Sequence, residues 1–544
     1  MLHVSDDFHN NTEAWAEAGI TVPEFDPATV REHTAEHPYW VHFGAGNLFR
    51  AVHAPIAQRL IEEGETASGV LVAETFDPEI IDKAYKPFEN RCLQVVLKSD
   101  GSVESKLIAS VAGSYGIAAH DETWDALKAV FEDAQLQFVT VTITEKGYAV
   151  TNAAGEPLPW IKPEIEGGPD VAVSAMGAMA ALLLARFNAG GAPIAMVSTD
   201  NFSQNGDRFG AAVRAMAAYW KEGGFVGQDF IDWLSDPAKV SFPLSMIDRI
   251  TPNPAVSVSD MLRERGFGDA DIIHTAKGTN IAPFSNAEET WYLVIEDAFP
   301  NGRPALDKAG VYLGDRDTVN KADEMKVTTC LNPLHTALAT FGMLCGFDSM
   351  SRTIAEPALH ALVERLGYDE GLPVVVDPGI FSPREFLRQV IEVRVPNPNI
   401  PDTPARISTD TSQKIPVRYG VTISKYLASE ELDLASLTAI PLVIAGWLRL
   451  LLGADGQGVR DDGTAVTLSP DPRMADLQAK LAGLEVGGDM TDAPEKLREI
   501  LADASIFGTD LNATPLADEV IGYFLSFASG SGSLIPTITR ALAA

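Results

Sequence analysis

The sequence of 544 residues predicts an α/β fold, with an N-terminal domain built on a doubly wound parallel sheet and a mostly α-helical C-terminal domain. In the first 300 residues, short apolar runs alternate with amphipathic helical patterns, which is the rhythm of βαβ units. The candidate strands are residues 40–43, 70–73, 93–97, 138–143, 194–198 and, further on, 291–295. From about residue 320 onward helical patterns dominate, and residues 373–376 are the exception that looks like a strand.

This change of pattern predicts three regions along the chain. Residues 1–37 are expected to form an irregular N-terminal lead-in that wraps the surface. Residues 38–300 are expected to form the sheet domain, and residues 301–544 the helical domain. The boundary is placed at the turn-rich segment PNGRP, residues 300–304, because proline and glycine interrupt both helices and strands.

Composition argues against several function classes. The chain has 41 Lys and Arg against 75 Asp and Glu, and a formal net charge of −34 repels phosphate backbones and anionic membrane surfaces. Its three cysteines include no C-x-x-C pair, so neither a disulfide framework nor a metal site is expected. No secretory signal is visible, and the apolar stretch 434–454 contains Pro441 and Arg449, so we expect a buried helix there. These features predict a cytoplasmic protein with no nucleic-acid or membrane partner. They do not determine its oligomeric state, for which a monomer or small homo-oligomer is the expectation.

The segment HFGAGNLFR, residues 42–50, lies between the first candidate strand and a helical pattern. Gly44 and Gly46 allow a tight turn and the close approach of a diphosphate to backbone N–H groups at a helix start. Phe49 stands where the full G-x-G-x-x-G fingerprint has its third glycine. Glu74, at the end of the next strand, can accept hydrogen bonds from a ribose diol and repel a 2′-phosphate. This context predicts a Rossmann-like domain that binds NAD(H); the alternative is a turn with a surface glutamate.

Two further polar segments follow candidate strands: TITEKGY at residues 142–148 and STDNFSQNG at residues 198–206. In a doubly wound sheet, ligands bind in the crevice at the carboxyl ends of the strands. The first segment could equally be a polar connection, and Asn201 in the second could either contact a substrate oxygen or cap the following helix. The predicted cofactor-binding set is Gly44, Gly46, Asn47, Leu48, Glu74, Thr144 and Lys146.

The densest group of reactive residues is KVTTCLNPLH, residues 326–335. Asn332 and His335 are three residues apart and share one face of a helix. Pro333 favours the first turn, so Asn332 is expected to be the N-cap and His335 a first-turn residue. Together with Lys326, this amide and imidazole could handle a carbinol proton and the negative charge that develops on its oxygen. Taken singly, they could be an exposed lysine, a cap and a core histidine.

Five segments in this order resemble the polyol-specific long-chain dehydrogenase family: residues 42–50, 142–148, 198–206, 242–252 and 326–335. The resemblance covers most of the chain, and it is strongest to the bacterial branch that acts on D-mannonate. It implies a metal-independent hydride transfer between NAD(H) and the keto group of an open-chain sugar or sugar acid. The expected reaction is the interconversion of D-fructuronate and D-mannonate.

The same resemblance assigns roles to individual residues. It implies catalysis by Lys326, Asn201, Asn332 and His335, and substrate binding by Asp248, Arg406 and Lys414. The lysine would exchange a proton with the reacting oxygen, the two amides would hold that oxygen, and the imidazole would fix the substrate. Lys326 stands six residues before Asn332, whereas the family commonly has five. An extra residue in the connection, or a local helix irregularity, would restore the geometry.

The residues leave other functions open. A dehydrogenase of mannitol or arabinitol would use the same cation pair on hydroxyl groups, and D-tagaturonate is an alternative sugar acid. A catalytically inactive NAD-binding sensor or scaffold belongs to a different class of protein. The joint presence of the four catalytic candidates argues against it, because a sensor has no need of all four.

Overall fold

The computed structural model describes residues 1–543, which form two compact units. The first unit contains residues 1–98 and 102–320, and the second contains residues 99–101 and the chain from residue 321 onward. The strands are β1 (Ile20–Thr21), β2 (Trp40–Phe43), β3 (Val70–Glu74), β4 (Cys92–Leu97), β5 (Val103–Ile108), β6 (Val111–Gly116), β7 (Phe138–Val141), β8 (Ile194–Ser198), β9 (Val240–Ser241), β10 (Ser245–Asp248), β11 (Ile273–His274), β12 (Asn280–Ile281), β13 (Phe284–Glu288), β14 (Tyr292–Glu296), β15 (Tyr312–Gly314), β16 (Gln457–Val459) and β17 (Ala465–Thr467).

The α-helices are α1 (Thr12–Glu17), α2 (Pro27–Glu36), α3 (Ala54–Glu62), α4 (Glu79–Ala84), α5 (Glu122–Glu132), α6 (Lys162–Gly167), α7 (Ala175–Asn188), α8 (Asn205–Glu222), α9 (Gln228–Ser235), α10 (Val256–Glu264), α11 (Arg316–Met325), α12 (Asn332–Cys345), α13 (Met350–Ile354), α14 (Pro357–Glu364), α15 (Pro383–Gln389), α16 (Pro404–Ile407), α17 (Thr411–Ile415), α18 (Val421–Ala428), α19 (Ala439–Leu450), α20 (Met474–Lys480), α21 (Ala493–Leu501), α22 (Ala504–Phe507), α23 (Leu516–Phe527) and α24 (Leu534–Leu542). The π-helical segments are Phe49–His53, Lys326–Cys330, Arg365–Gly371, Val390–Arg394 and Pro416–Gly420. Short 3₁₀ segments connect several of these elements.

A six-stranded parallel sheet with the order β6-β3-β2-β7-β8-β9 organises the first unit. Strand β2 lies in the middle, and its side chains alternate between two apolar layers. Val41 and Phe43 pack in the layer that contains α5, α7 and α8, whereas Trp40 packs in the layer that contains α3 and α4. Helices therefore cover both faces, and the predicted doubly wound fold is confirmed. Strands β2 and β8 have the predicted bounds.

Two predicted strands lie outside this sheet. Strand β4 joins a four-stranded sheet with the order β1-β5-β4-β13, because the chain turns back after β4 and β5 pairs with it in antiparallel fashion. Strand β14, near the predicted residues 291–295, pairs with β10 and β15 in a three-stranded sheet. The strand expected at residues 373–376 is wrong, since a 3₁₀ turn at Leu372–Val374 follows directly on a π-helical segment.

The N-terminal 37 residues are more regular than expected. They contain α1, β1 and α2, and β1 adds a parallel strand to β5. Phe8 and Trp15 are fully buried in an apolar cluster with Phe267 and Phe284 of the same unit. The segment is therefore part of the first unit's core.

The second unit is mostly helical, as predicted, with β16 and β17 forming a small hairpin. Helix α19 lies at its centre against α12 and α23, and all twelve of its residues are buried. This helix is the apolar stretch that the sequence predicted to be buried. Its Arg449 donates hydrogen bonds to the carbonyls of Phe527 and Val459. Within residues 1–543, the structure has no helix of the length and apolarity needed to cross a membrane.

One buried cation ties together the turns that precede β7 and β8. Arg186 of α7 is 1% exposed, and it uses all five of its donor positions on backbone carbonyls at 2.7–2.9 Å. The acceptors are the carbonyls of Phe131, Asp133, Leu136, Ala192 and Pro193. The guanidinium thus satisfies carbonyls that would otherwise be buried without a donor.

We expect Arg186→Lys to destabilise the protein by about 2–4 kcal/mol, because one ammonium cannot reach all five carbonyls and buried acceptors are left unpaired. Urea unfolding monitored by circular dichroism measures this loss. The matched surface change, Arg263→Lys, should shift stability by no more than about 0.5 kcal/mol. Equal stability of the two variants would contradict the role assigned to Arg186 in satisfying the five buried carbonyls.

Candidate active site

The glycine loop after β2 lies between the ends of β3 and β7, because β2 pairs in parallel with both. Gly44 has φ 111°, and a Cβ atom on it would lie 2.1 Å from the carbonyl oxygen of Thr142. Only glycine fits this position. Gly46 differs, since a Cβ atom there would meet nothing within 4 Å. The loop is therefore closed against the sheet at Gly44 and open at Gly46.

A helix starts directly after this loop, at Asn47 and Leu48, passes through the π-helical segment Phe49–His53 and continues as α3. Backbone N–H groups at a helix start have no partner within the helix and favour an anion. The Oδ1 atom of Asn47 is buried and has no hydrogen-bond partner within residues 1–543. The open glycine and the helix start fit the diphosphate of the predicted dinucleotide, whereas the orphaned Oδ1 can accept only from a donor such as a hydroxyl group of the cofactor.

Glu74 at the end of β3 is only 6% exposed, and its carboxylate serves the backbone. Its Oε1 accepts from the N–H groups of Phe76 (2.8 Å) and Asp77 (3.1 Å), and its Oε2 accepts from Ala45 N–H (2.8 Å). The glutamate therefore ties the glycine loop to the chain that leaves β3. Each carboxylate oxygen has about two acceptor positions, so Oε2 retains capacity for a further donor. The predicted contact to a ribose stays a prediction.

Asp200, which follows β8, holds the neighbouring loop that contains Thr144 and Lys146. Its carboxylate accepts from Ile143 N–H and Thr144 N–H, each at 2.9 Å, and from the Tyr148 hydroxyl at 2.7 Å. Burial raises the pKa of Asp200, and these three hydrogen bonds lower it in part. Thr144 has φ 67°, so the carboxylate stabilises a strained turn. Thr144 and Lys146 are exposed on this turn, at the carboxyl edge of the sheet.

Two buried histidines lie on either side of the glycine loop in the sequence, His42 in β2 and His53 in the π-helical segment. The ring of His42 contacts Thr140 Oγ1 at 2.7 Å and Thr142 Oγ1 at 2.9 Å, and His53 contacts Thr199 Oγ1 at 2.9 Å. Burial lowers the pKa of His42 well below its ordinary value and that of His53 to about 3. Both rings are therefore neutral, and they fix the ends of β7 and β8 without placing charge in the sheet.

The loop after β8 also positions the two substrate-contacting candidates of this unit. Helix α8 has Gln204 as its N-cap, in the left-handed conformation, so Asn201 is not the cap and lies exposed in the loop. Asn205 donates to Ser245 Oγ and accepts from Ser245 N–H, which joins this loop to β10. Asp248 is the last residue of β10 and is 7% exposed.

In the second unit, Lys326 begins a π-helical segment, Lys326–Cys330, that continues α11. The N–H of Leu331 bonds to the Lys326 carbonyl, five residues back, at 3.2 Å. A π turn absorbs one extra residue in a helix, so the six-residue spacing between Lys326 and Asn332 is accommodated there. The expected helix irregularity is present. The Lys326 side chain is 4% exposed, and its Nζ lies 3.7 Å from Asp323 Oδ1.

Helix α12 begins one residue earlier than the sequence predicted. Leu331 is the N-cap and Asn332 is the first helical residue, so the expected N-cap at Asn332 is wrong. The π turn brings Leu331 rather than Asn332 to the position between the two helical segments. His335 lies in the first turn, as predicted, with its N–H bonded to the Leu331 carbonyl at 3.1 Å.

The predicted cation pair has one exposed and one half-buried member. Arg406 has a side chain that is 69% exposed and donates to Asp402 Oδ1 at 2.7 Å, a hydrogen bond that raises the pKa of the arginine. Lys414 donates to the carbonyls of Ile407 (3.1 Å) and Thr409. Burial lowers the pKa of Lys414, and the charge of Arg418 lowers it further.

Arg418 is a third cation, which the sequence did not single out. It donates from Nη1 to the Asn332 carbonyl at 3.4 Å and to Thr336 Oγ1, so it contacts the start of α12. Burial lowers the pKa of Arg418 to about 10. Its position four residues after Lys414, on one helical face, is a signal that the sequence does contain. Residues 1–543 hold no group of three or more side chains arranged to bind a metal ion.

Two family models match the chain. The mannitol dehydrogenase Rossmann domain matches residues 39–308, and the mannitol dehydrogenase C-terminal domain matches residues 318–524. The D-mannonate oxidoreductase of Thermotoga maritima is 45% identical over 96% of both chains. The chain belongs to the mannitol dehydrogenase family. This membership confirms the predicted family, the fold class and the class of enzyme, a dehydrogenase.

Solved structures of a mannitol 2-dehydrogenase and of a D-sorbitol dehydrogenase have a similar fold. The ternary complex of Pseudomonas fluorescens mannitol 2-dehydrogenase with NAD and D-mannitol is 25% identical, covers 96% of both chains and has a TM-score of 0.64. A substrate-free D-sorbitol dehydrogenase is 22% identical, covers 95% of this chain and 98% of its own, and has a TM-score of 0.76. Because its sequence identity is only 22%, the similarity to the D-sorbitol dehydrogenase is evidence for the fold alone.

We expect Gly46→Ala to leave stability within about 0.5 kcal/mol of the unchanged protein, because the new methyl group meets no atom. The same methyl should weaken NADH binding at least about tenfold, or 1.4 kcal/mol, because it blocks the approach to the loop N–H groups. Thermal unfolding and NADH fluorescence titration measure the two effects.

Gly44→Ala is the matched control for this prediction. Its Cβ atom collides with the Thr142 carbonyl at a left-handed backbone conformation, so it should destabilise the fold by about 1–3 kcal/mol. An NADH affinity that is unchanged in Gly46→Ala would contradict the assignment of the open glycine to the dinucleotide.

Proposed function

We propose that this chain is an NAD(H)-dependent oxidoreductase that interconverts D-fructuronate and D-mannonate. The observation that carries the proposal is the 45% identity to a D-mannonate oxidoreductase over nearly the whole of both chains. The glycine loop, with Gly46 open and Asn47 Oδ1 unpaired, supports the cofactor. Cytoplasmic location and a monomeric or small oligomeric state remain predictions.

When bound, NAD(H) supplies or accepts the hydride. Gly44, Gly46, Asn47 and Leu48 would hold its diphosphate, and Glu74 would accept from its ribose hydroxyls through the remaining capacity of Oε2. Thr144 and Lys146 would bind the dinucleotide from the adjacent loop, which Asp200 holds. These roles are supported by the parallel pairing that brings the ends of β2, β3, β7 and β8 to one edge of the sheet.

Lys326 would act as the general acid in reduction and as the general base in oxidation. Its amine is almost fully buried and lies beside Asp323, so its proton is shielded from bulk water. The amides of Asn332 and Asn201 would donate to the oxygen that becomes negative, which costs no desolvation of charge. His335 would bind a substrate hydroxyl and fix the orientation of the chain of carbons.

A sugar acid carries a carboxylate that needs a cation. The like charge of Arg418 lowers the pKa of Lys414, and both side chains lose solvation by burial, which strengthens the attraction of the charged forms for an anion. Arg406 is already paired with Asp402, so we assign it a secondary part in binding. Asp248 would accept from hydroxyl groups of the substrate.

The second candidate is a dehydrogenase of a neutral polyol such as mannitol or arabinitol. The similarity to the mannitol 2-dehydrogenase complex favours it, and a lysine can also donate to hydroxyl groups. D-Tagaturonate reduction differs from the leading proposal only in the configuration of the substrate.

We expect the purified protein to oxidise NADH faster with D-fructuronate than with any other acceptor. The other acceptors tested are D-tagaturonate, D-fructose and the ketopentose formed when arabinitol is oxidised at C2. Because a charge-assisted pair is worth about 1.5–3 kcal/mol, kcat/KM for D-fructuronate should exceed that for D-fructose at least about tenfold. Absorbance at the NADH band measures the rates. Preference for D-fructose would favour the polyol enzyme, and no turnover of any acceptor would favour the inactive sensor.

We expect Lys326→Ala to lower kcat about 10²–10⁴-fold, the usual range for a lost general acid, while the Kd for NADH stays unchanged. Steady-state kinetics and NADH titration on the same preparation separate the two effects. Lys480→Ala, a lysine of α20 in the same unit, is the matched control and should keep kcat. Normal turnover by Lys326→Ala would exclude this lysine as the proton donor.

A further inference from the structure

An exposed aromatic ring lies next to the predicted ribose position. Phe76 stands two residues after Glu74, beyond the end of β3, and is 68% exposed. A single exposed phenylalanine is common on protein surfaces and by itself needs no explanation. Phe76 differs because three separate interactions hold it in place.

The first interaction fixes its backbone, since Phe76 N–H donates to Glu74 Oε1 at 2.8 Å. The other two come from Lys277, whose ammonium donates to the Phe76 carbonyl and lies 4.9 Å from the centroid of its ring. A cation at this distance is attracted to the face of an aromatic ring. One face of the ring is therefore pinned by the lysine, and the residue still has most of its surface free.

Lys277 belongs to a short hairpin, β11 and β12, that is anchored to the same edge of the sheet. Asp77 is 2% exposed, and its Oδ2 accepts from the hydroxyls of Thr275 and Thr279, each at 2.6 Å. Glu79 Oε2 accepts from Ala276 N–H at 2.7 Å. Four polar contacts, counting that of Lys277, thus fix the hairpin tip to the chain after β3.

The other end of the hairpin reaches the glycine loop. The side-chain amide of Asn47 donates to the Asn280 carbonyl at 3.4 Å, and Arg50 donates to the Ala282 carbonyl. The hairpin therefore spans from the diphosphate position at Asn47 to the ring of Phe76. In a Rossmann-like domain, the adenosine half of a dinucleotide runs from the diphosphate at the first helix start to the acidic residue that binds the ribose, here Glu74. The hairpin lies along this path.

We infer that Phe76 is the platform on which the adenine of NAD(H) stacks, and that Lys277 is the positioning residue that holds this ring from the β11–β12 hairpin. The inference rests on the proposed NAD(H) dependence and adds to it the residues that bind the base. A π-face offers stacking to adenine without hydrogen bonding, so the contact contributes affinity and leaves the nicotinamide end unaffected.

Binding titrations with three probes test this inference. NADH and AMP both contain adenosine, whereas reduced nicotinamide mononucleotide lacks it. Phe76→Ala should raise the Kd for NADH and for AMP about tenfold, as expected for a lost stacking contact, and should leave the Kd for the mononucleotide unchanged. Phe76→Tyr keeps the ring and should stay within about threefold of the unchanged protein for all three probes.

Further variants test the role of the hairpin. Lys277→Ala should weaken NADH and AMP binding by less than Phe76→Ala, and Lys277→Arg should restore it, because arginine also places a cation over the ring. Trp160→Ala removes another exposed aromatic of the same unit, 60% exposed, and should change no Kd. Circular dichroism checks that each variant is folded.

Two results would overturn the inference: unchanged AMP and NADH affinity in Phe76→Ala, or an equal loss for the mononucleotide. Failure of the unchanged protein to bind either AMP or NADH would also overturn it, together with the proposed cofactor. If NADH binding depends on Phe76 but no sugar acid is reduced, the adenine platform stands and the proposed reaction fails.

Discussion

The parallel pairing of β2 with β3 on one side and β7 on the other is the constraint on which the cofactor half of the molecule depends. It brings the carboxyl ends of β2, β3 and β7 to one edge of the sheet. Neighbouring strands there are about 5 Å apart. At that spacing Gly44 has no room for a side chain, Glu74 reaches the loop N–H of Ala45, and Thr142 packs against the glycine. Two residues further on, Gly46 has no atom within 4 Å of the position of a Cβ atom.

The second unit meets a different constraint, which concerns helix register. An extra residue between Lys326 and Asn332 would rotate the lysine by about 100° around an unbroken α-helix. The π turn absorbs that residue, so Lys326 stays buried while His335 keeps its place in the first turn of α12. π turns are rare and frequently mark functional sites, and this one lies inside the segment where the sequence had located the chemistry.

Prediction from sequence succeeded where local pattern decides the outcome. Strands β2 and β8 are continuous apolar runs buried on both faces, and their bounds could be read directly. Pairing partners are not encoded in such runs, so β4 was recognised as a strand but its separate sheet was not. The same limit applies to the site, because the roles of Asp200 and Arg418 depend on atoms more than fifty residues away in the chain. The N-cap at Asn332 failed for a local reason, since the π turn moves the cap to Leu331.

The net charge of −34 is compatible with anionic ligands because binding depends on local charge. In our proposal, Lys414 and Arg418 supply that charge in the second unit, and the backbone N–H groups after Gly46 supply it in the first. Transfer of label from NADH deuterated at C4 to the carbinol carbon of the product measures the central claim directly. With D-fructuronate and each of the two C4 epimers of deuterated NADH, we expect one epimer to give D-mannonate with one deuterium per molecule, seen by NMR. D-Mannonate without label from either epimer, or no D-mannonate at all, would contradict direct hydride transfer by this protein.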